Sequence, residues 1–256
     1  MMTRTSRPAA HPSRRARAVA RTAEGERAAL LPLLLAAMAF LALALLPGLA
    51  RADKADGEDL IARAELTLAK VQRHEDLGPY VRAYLKRAKA ILIIPQLLKG
   101  GFIIGGEGGS GVLLARGDNG QWSYPAFFSI GAASIGLQIG GQSSEVLLLV
   151  MTGNGLTSIL NDKVKIGGEL DAAAGPYGAG LDASTTTNLD VDILSYSVAQ
   201  GLYIGANFEG SVIVKRDELN ADYYGQPATP EAIVLDGRVA NPQADSLRRA
   251  LSEAVR

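Results

Sequence analysis

The chain reads as an α+β protein, with N-terminal helices packed on a glycine-rich, mainly antiparallel β-barrel or sandwich. Three observations predict this class. Between Asp59 and Ala90 apolar residues recur every three or four positions, the period of an amphipathic helix. From Ile91 to Lys215 the pattern changes to short, β-branched apolar segments with turn glycines at nearly every junction, as in a curled antiparallel sheet. Finally, 256 residues without a single cysteine must bury a core unaided by disulfides, and the length allows one substantial domain.

The N-terminal stretch stands apart from this body. Eight of the 26 basic residues and only two of the 26 acidic ones lie in positions 1–52, which leaves 18 basic and 24 acidic groups downstream, a net charge of −6. Residues 1–27 are arginine-rich, Ala28–Leu46 is an uncharged apolar run, Pro47-Gly48 breaks it, and Ala50-Arg51-Ala52 is an A-x-A cleavage pattern. Charged, apolar and small-residue regions in that order predict a secretory signal peptide over 1–52, the alternative being a retained membrane anchor. The expected protein is therefore exported, periplasmic or secreted. A mildly acidic body lacks the broad basic surface of a nucleic-acid binder.

Beyond the cleavage pattern, 53–58 reads as a polar linker, followed by a domain over 59–236 and a polar C-terminal tail over 237–256. In Asp59–His74, Leu60, Ala64, Leu68 and Val71 share one helical face. Leu77-Gly78-Pro79 ends that helix, and Pro79 suits the first turn of a second, about Tyr80–Ala90. Val81, Tyr84, Leu85 and Ala88 would form its apolar side, and Arg82, Lys86, Arg87 and Lys89 a basic stripe. Ile91–Ile94 is a β-branched strand that Pro95 should stop. Expected strand segments then follow from Phe102 to Lys215, interrupted by a short helix at Gly155–Leu160. Asp217 caps a helical turn through Tyr223, and a last short helix is expected at about Pro242–Val255.

The stretch GFIIGGEGGSGVLLAR (101–116) contains Gly106, Gly108 and Gly111 at the G-x-G-x-x-G spacing of a dinucleotide loop. Such a loop must open a helix whose N–H groups meet the pyrophosphate. Here Val112–Ala115 and the turn residues Gly117–Gly120 follow, and Phe127–Ser144 holds no acid for a ribose. The glycines are expected to serve tight turns and close backbone approach in a hairpin. No cofactor is expected.

Catalytic chemistry finds little to work with. The one histidine beyond residue 52, His74, sits at a helix end beside Glu75-Asp76, and no G-x-S-x-G elbow accompanies it. Zinc ligands are lacking. Asp182, Asp190 and Asp192 are oxygen ligands without the spacing of a calcium loop, so a polar turn is the preferred reading. What remains is recognition by the surface. Cations beside an apolar helix face suit an interfacial membrane contact, and a solvated face whose apolar side packs on the sheet is the alternative.

Six stretches in order resemble the SYLF domain family. They are AKAILIIP (88–95), GGEGGSGVLLAR (105–116), WSYPAFFSIGAASIGLQIGGQ (122–142), AAGPYG (173–178), DILSYSVAQGLYIGANFEGSVI (192–213) and NADYYG (220–225). The resemblance spans about Leu60–Leu235 and implies a non-enzymatic module that binds anionic membrane lipids, phosphoinositides in eukaryotic members. Its lipid-contacting amphipathic helix would correspond to Pro79–Ile94, with Arg82, Lys86, Arg87 and Lys89 as the lipid-binding residues. Some relatives bind actin. The signal peptide makes actin an unexpected partner here, and phosphatidylglycerol, cardiolipin or lipid A the expected lipids. A scaffold of the cell envelope that binds a protein partner is the competing expectation.

Overall fold

The computed structural model describes residues 54–101, 104–135, 140–161, 163–175, 191–199, 202–204 and 208–256. Ala52–Arg256 form one compact unit. It opens with helices α1 (Lys54–Arg73) and α2 (Gly78–Leu85). Strands β1 (Ala90–Gly101), β2 (Ile104–Ala115), β3 (Ala126–Ile135) and β4 (Gly140–Val150) follow, then helix α3 (Gly153–Leu160). The short strands β5 (Lys163–Lys165) and β6 (Ala172–Ala174) precede β7 (Ile193–Ala199), β8 (Leu202–Ile204) and β9 (Val212–Lys215). The chain ends in α4 (Asp217–Tyr224), α5 (Pro230–Val234), a 3-10 turn (Pro242–Ala244) and α6 (Asp245–Ala254).

All nine strands belong to one sheet, which curls into a half-barrel along the path β5-β9-β3-β2-β1-β4-β7-β6. β8 pairs with β7 beside that path. Only β6–β7 is parallel among the pairs described, so the mainly antiparallel α+β expectation holds. β1 lies at the centre, hydrogen-bonded to β2 on one side and β4 on the other. Both of its faces are covered, which is why it reads as a continuous apolar run rather than an alternating one: Ala90–Ile94 are each at most 1% exposed.

The two faces carry two cores. Ile91 and Ile93 point to the side of α1, α2, α4 and α6, where Ile61, Leu68, Val81, Leu85, Tyr223, Leu247 and Leu251 are buried. Leu92, Ile94 and Leu97 point to the opposite side, against Phe128, Ile159, Ile213 and Ile233. The parity of β1 therefore inverts between Ile94 and Leu97. Pro95 is the cause: it has no N–H for the ladder. The register slips there against both neighbours, between Ile93 and Gln96 on the β2 side and between Ile94 and Leu97 on the β4 side. A bulge of this kind moves every later side chain to the other face. Pro95 bends β1 rather than stopping it.

The glycine stretch is the second departure. Gly105–Gly111 lie inside β2, paired residue by residue with β3 and, as far as Ser110, with β1, and form no hairpin turn. Two of these glycines have a steric reason. A Cβ on Gly109 would stand 2.4 Å from the Gln96 carbonyl oxygen, and one on Gly111 would stand 2.7 Å from that of Ile93. Both crowd against the bulge. By contrast, a Cβ on Gly108 would meet nothing closer than the Ile130 carbonyl oxygen at 3.7 Å.

Helix boundaries differ as well. α1 begins at Lys54, so most of the expected linker is helical, and Gly57 is buried where its Cβ would lie 2.9 Å from the Tyr223 ring. The expected second helix stops at Leu85. α3 and α4 lie close to their expected positions. Gly225 ends α4 at φ 69°, where a glycine is favoured. α5, with Pro230 in its first turn and Thr229 as its cap, is an addition. α6 packs Leu247, Leu251 and Ala254 into the helix-side core, so the chain beyond 236 is structurally integral to the domain. The segment expected at Tyr177–Ala183 lies outside the described residues.

Candidate functional site

α2 starts with Pro79 in its first turn, and Val81, Tyr84 and Leu85 turn inward. The helix closes as the N–H groups of Arg87 and Ala88 both donate to the Tyr84 carbonyl, at 2.9 and 3.0 Å. The chain is then extended at Lys89. Its N–H donates to Val150 O at 2.8 Å and its carbonyl accepts from the Arg116 N–H at 2.7 Å. Lys86–Lys89 thus form a turn pinned between the ends of β4 and β2.

This changes the expected basic stripe. Arg82, Lys86 and Lys89 do not share a helical face, because the helix ends before two of them. Arg82 is half-buried, and its Nη1 donates to Gln72 O at 2.7 Å, tying α2 to the end of α1. Lys86, Arg87 and Lys89 are exposed. Lys86 Nζ lies 3.4 Å from Arg256 O. Among the described residues none of these three forms an ion pair with a carboxylate side chain. Arg116 joins them, with Nη1 donating to Lys86 O at 2.7 Å. Nothing in the local pattern around Arg116 revealed this, because the pairing of β1 with β2 brings it there.

The apolar half of the expected membrane helix is not on the surface. Ile91–Ile94 belong to the central strand and are buried, so Pro79–Ile94 is not one amphipathic helix. A continuous apolar run of that length is resolved here by tertiary pairing in favour of a strand. Among the described residues no helix is long and apolar enough to cross a membrane.

Elsewhere polar groups serve the fold. His74 Nδ1 accepts from the Leu77 N–H at 3.3 Å. Asp192 accepts from Thr152 Oγ1 and, at 3.3 Å, from the Asp171 N–H, joining β7 to the start of α3. Asp182 and Asp190 lie outside the described residues. Buried Asn220 accepts from the Phe127 N–H at 2.9 Å, extending the β3 ladder where β9 has ended. Burial pushes the hydroxyls of Tyr223 and Tyr224 well above the usual tyrosine range. Two open depressions adjoin α1 and the bulge of β1, both lined by Arg63, Pro95 and Gln96, one also by the exposed Leu66 and the other by the exposed Leu98.

The described fold is a half-barrel with helices packed on both faces and an exposed cationic turn where its central strand begins. Residues 131–254 match the family described as Ysc84: Las17-binding protein actin regulator. The chain is 36% identical over 179 residues to Protein YSC84 of Saccharomyces cerevisiae, an overlap of 68% of this chain and 37% of that protein. It is 34% identical over 171 residues to LAS seventeen-binding protein 3 of the same yeast, covering 65% and 37% of the two chains. Against the human SH3 domain-containing YSC84-like protein 1 it is 27% identical over 168 residues, covering 65% and 49%. The chain carries a domain of the Ysc84/SYLF family. It spans less than half the length of these relatives. The expectation that sets actin aside is overturned: the family description and the relatives' names point to actin-regulatory protein partners.

Proposed function

We propose that this domain is a non-enzymatic module that associates peripherally with anionic membrane lipids through the turn Lys86–Lys89. One observation carries the reading: Lys86, Arg87 and Lys89 stand exposed and close together at the start of the central strand, without a carboxylate side chain paired to them among the described residues. Each cation near an anionic surface contributes about 1 kcal/mol, screened over a Debye length of about 8 Å at physiological salt. Contact through a rigid turn is electrostatic, so it should weaken steeply with salt.

The test compares the full-length protein with a K86Q/R87Q/K89Q variant on phosphatidylcholine vesicles with and without phosphatidylglycerol. Removing three cations should lower the charge-dependent part of binding by up to roughly 3 kcal/mol, more than a hundredfold. Equal binding by both proteins would overturn the reading.

A second reading has support of its own in the family description, which speaks of Las17 binding and actin regulation, and in the name of the yeast LAS seventeen-binding protein 3. On that reading the same surface, or the depressions beside Leu66 and Leu98, takes a protein partner. Co-sedimentation with actin filaments, insensitive to added vesicles, would favour it. We also infer export with cleavage after Ala52, in which case N-terminal sequencing of the processed protein should begin at Asp53.

A further inference from the structure

Helix α1 carries two stripes at the alternating three- and four-residue spacing of a helix–helix seam, and the domain core uses one of them. Ile61, Ala64, Leu68 and Val71 form the inner stripe and are buried. Ala55, Asp59, Ala62, Leu66, Ala69 and Arg73 form the second, on the opposite side of the helix. Ala69 is half-buried and the other five are exposed. Leu66, in the middle of this outer stripe, is 69% exposed. Among the described residues the other exposed large apolar side chains are Leu98 and Leu235. Leu98 lines the same depression as Asp59 and Arg63 beside α1. Exposed leucines are ordinarily scattered, so two of three beside one helix mark a contact surface.

Size and charge along the outer stripe indicate what covers it. Leu66 stands between Ala62 and Ala69, a large side chain flanked by two small ones. Residues 54–63 hold three acids against two bases, and residues 64–73 hold one acid against two bases. The stripe itself has Asp59 towards one end and Arg73 at the other. A helix ordered in this way complements a copy of itself only when the two run antiparallel. A parallel pair would set Asp59 against Asp59 and Arg73 against Arg73, and like charges brought together are unfavourable.

We infer that this face is the interface of a homodimer, in which α1 packs antiparallel on α1 of a second copy about a two-fold axis level with Ala64. In that register Leu66 seats on the partner's Ala62, and the same contact recurs across the axis, as an isologous interface requires. Arg73 lies level with the partner's Ala55, beside the partner's Asp56. Arg63, which flanks the axis, is held by Asp59 of its own helix at 2.8 Å. The inference stands apart from the membrane reading, because Lys86, Arg87 and Lys89 lie beyond α1.

Sedimentation equilibrium of the full-length protein over a range of concentrations tests it. A monomer–dimer equilibrium is expected. L66K should weaken it by roughly tenfold or more, since a cation replaces the seated side chain. Its exposed position leaves the fold intact by circular dichroism. L235K, which removes an equally exposed leucine elsewhere, should leave the equilibrium unchanged. The chain has no cysteine, so introduced thiols report on orientation without background. A55C and R73C, purified apart and then mixed, should become cross-linked to each other through positions 55 and 73. Neither variant should link to itself, because antiparallel copies hold like positions about 27 Å apart along the axis. Association that L66K leaves unaltered, equal weakening in L235K, or linkage of A55C to itself overturns the inference. A monomer at every concentration overturns it as well, and loss of actin co-sedimentation in L66K would then give the face to a different protein.

Discussion

Gly108 and Gly109 are adjacent in β2, and replacing each by alanine should have opposite effects. At Gly109 the new Cβ would sit 2.4 Å from Gln96 O, 3.0 Å from Ile94 Cγ2 and 3.2 Å from Leu97 Cα. Two of these neighbours are backbone atoms of the bulge, which is held by pairing with both β2 and β4. Relief requires the bulge to shift by roughly an ångström, and overpacking of this kind costs about 1–3 kcal/mol. At Gly108 the nearest atom stands at an ordinary 3.7 Å and no left-handed φ is involved. There alanine narrows the unfolded ensemble and should stabilise by about 0.4–1 kcal/mol. The expected difference between the two variants is therefore about 1.5–4 kcal/mol, measured by urea unfolding with matched m-values. Thermal midpoints should separate in the same direction, by about 2–4 °C per kcal/mol for a domain of this size. A Gly108→Ala variant as damaged as Gly109→Ala would refute the argument and show that the whole glycine stretch is needed for the strand.

Three further outcomes follow from the core. Asn220→Leu removes the acceptor for the Phe127 N–H and should cost about 1–3 kcal/mol in denaturant unfolding, as expected for an orphaned buried donor. Leu251→Ala, at a fully buried position of α6, should cost about 2–5 kcal/mol, which a dispensable tail would not. Burial raises the Tyr223 and Tyr224 hydroxyls above the ordinary tyrosine pKa of 10.0, so their stabilisation is complete below that pH. It should be lost progressively as pH rises above it, because the unfolded chain ionises first. Tyrosinate absorbance and circular dichroism should accordingly change together in an alkaline titration.

Much of the architecture was legible because it follows from burial. The period of α1 was visible in Ala64, Leu68 and Val71, and the central strand in Ile91–Ile94. The sequence did not disclose how Pro95 would be accommodated. A proline ends a strand unless both neighbouring strands slip past it together, and that depends on glycines fourteen and sixteen residues away in the sequence. The same limit applies to the cationic site. Arg82, Lys86 and Lys89 have helical spacing, yet β1 begins at Ala90 and draws the preceding residues into extended pairing, which unwinds the stripe. Arg116 gave no local signal of its nearness to Lys86, because sheet pairing brings it there. A local motif search finds neither kind of feature.

The contact between α1 and α6 has a consequence for the order in which the protein is made. Nearly two hundred residues separate Lys54 from Ala254, yet Ile61, Leu68, Leu247 and Leu251 share one core. β9, which links β3 to the edge strand β5, is also among the last elements synthesised. Closing such distant contacts is slow, since chain entropy is lost before the contacts compensate for it. A nascent chain halted before α6 would present Ile61 and Leu68 without their partners, and its incomplete core would be a target for chaperones and proteases. The domain should therefore become protease-resistant in a single late step, after the last helix has left the ribosome, rather than strand by strand.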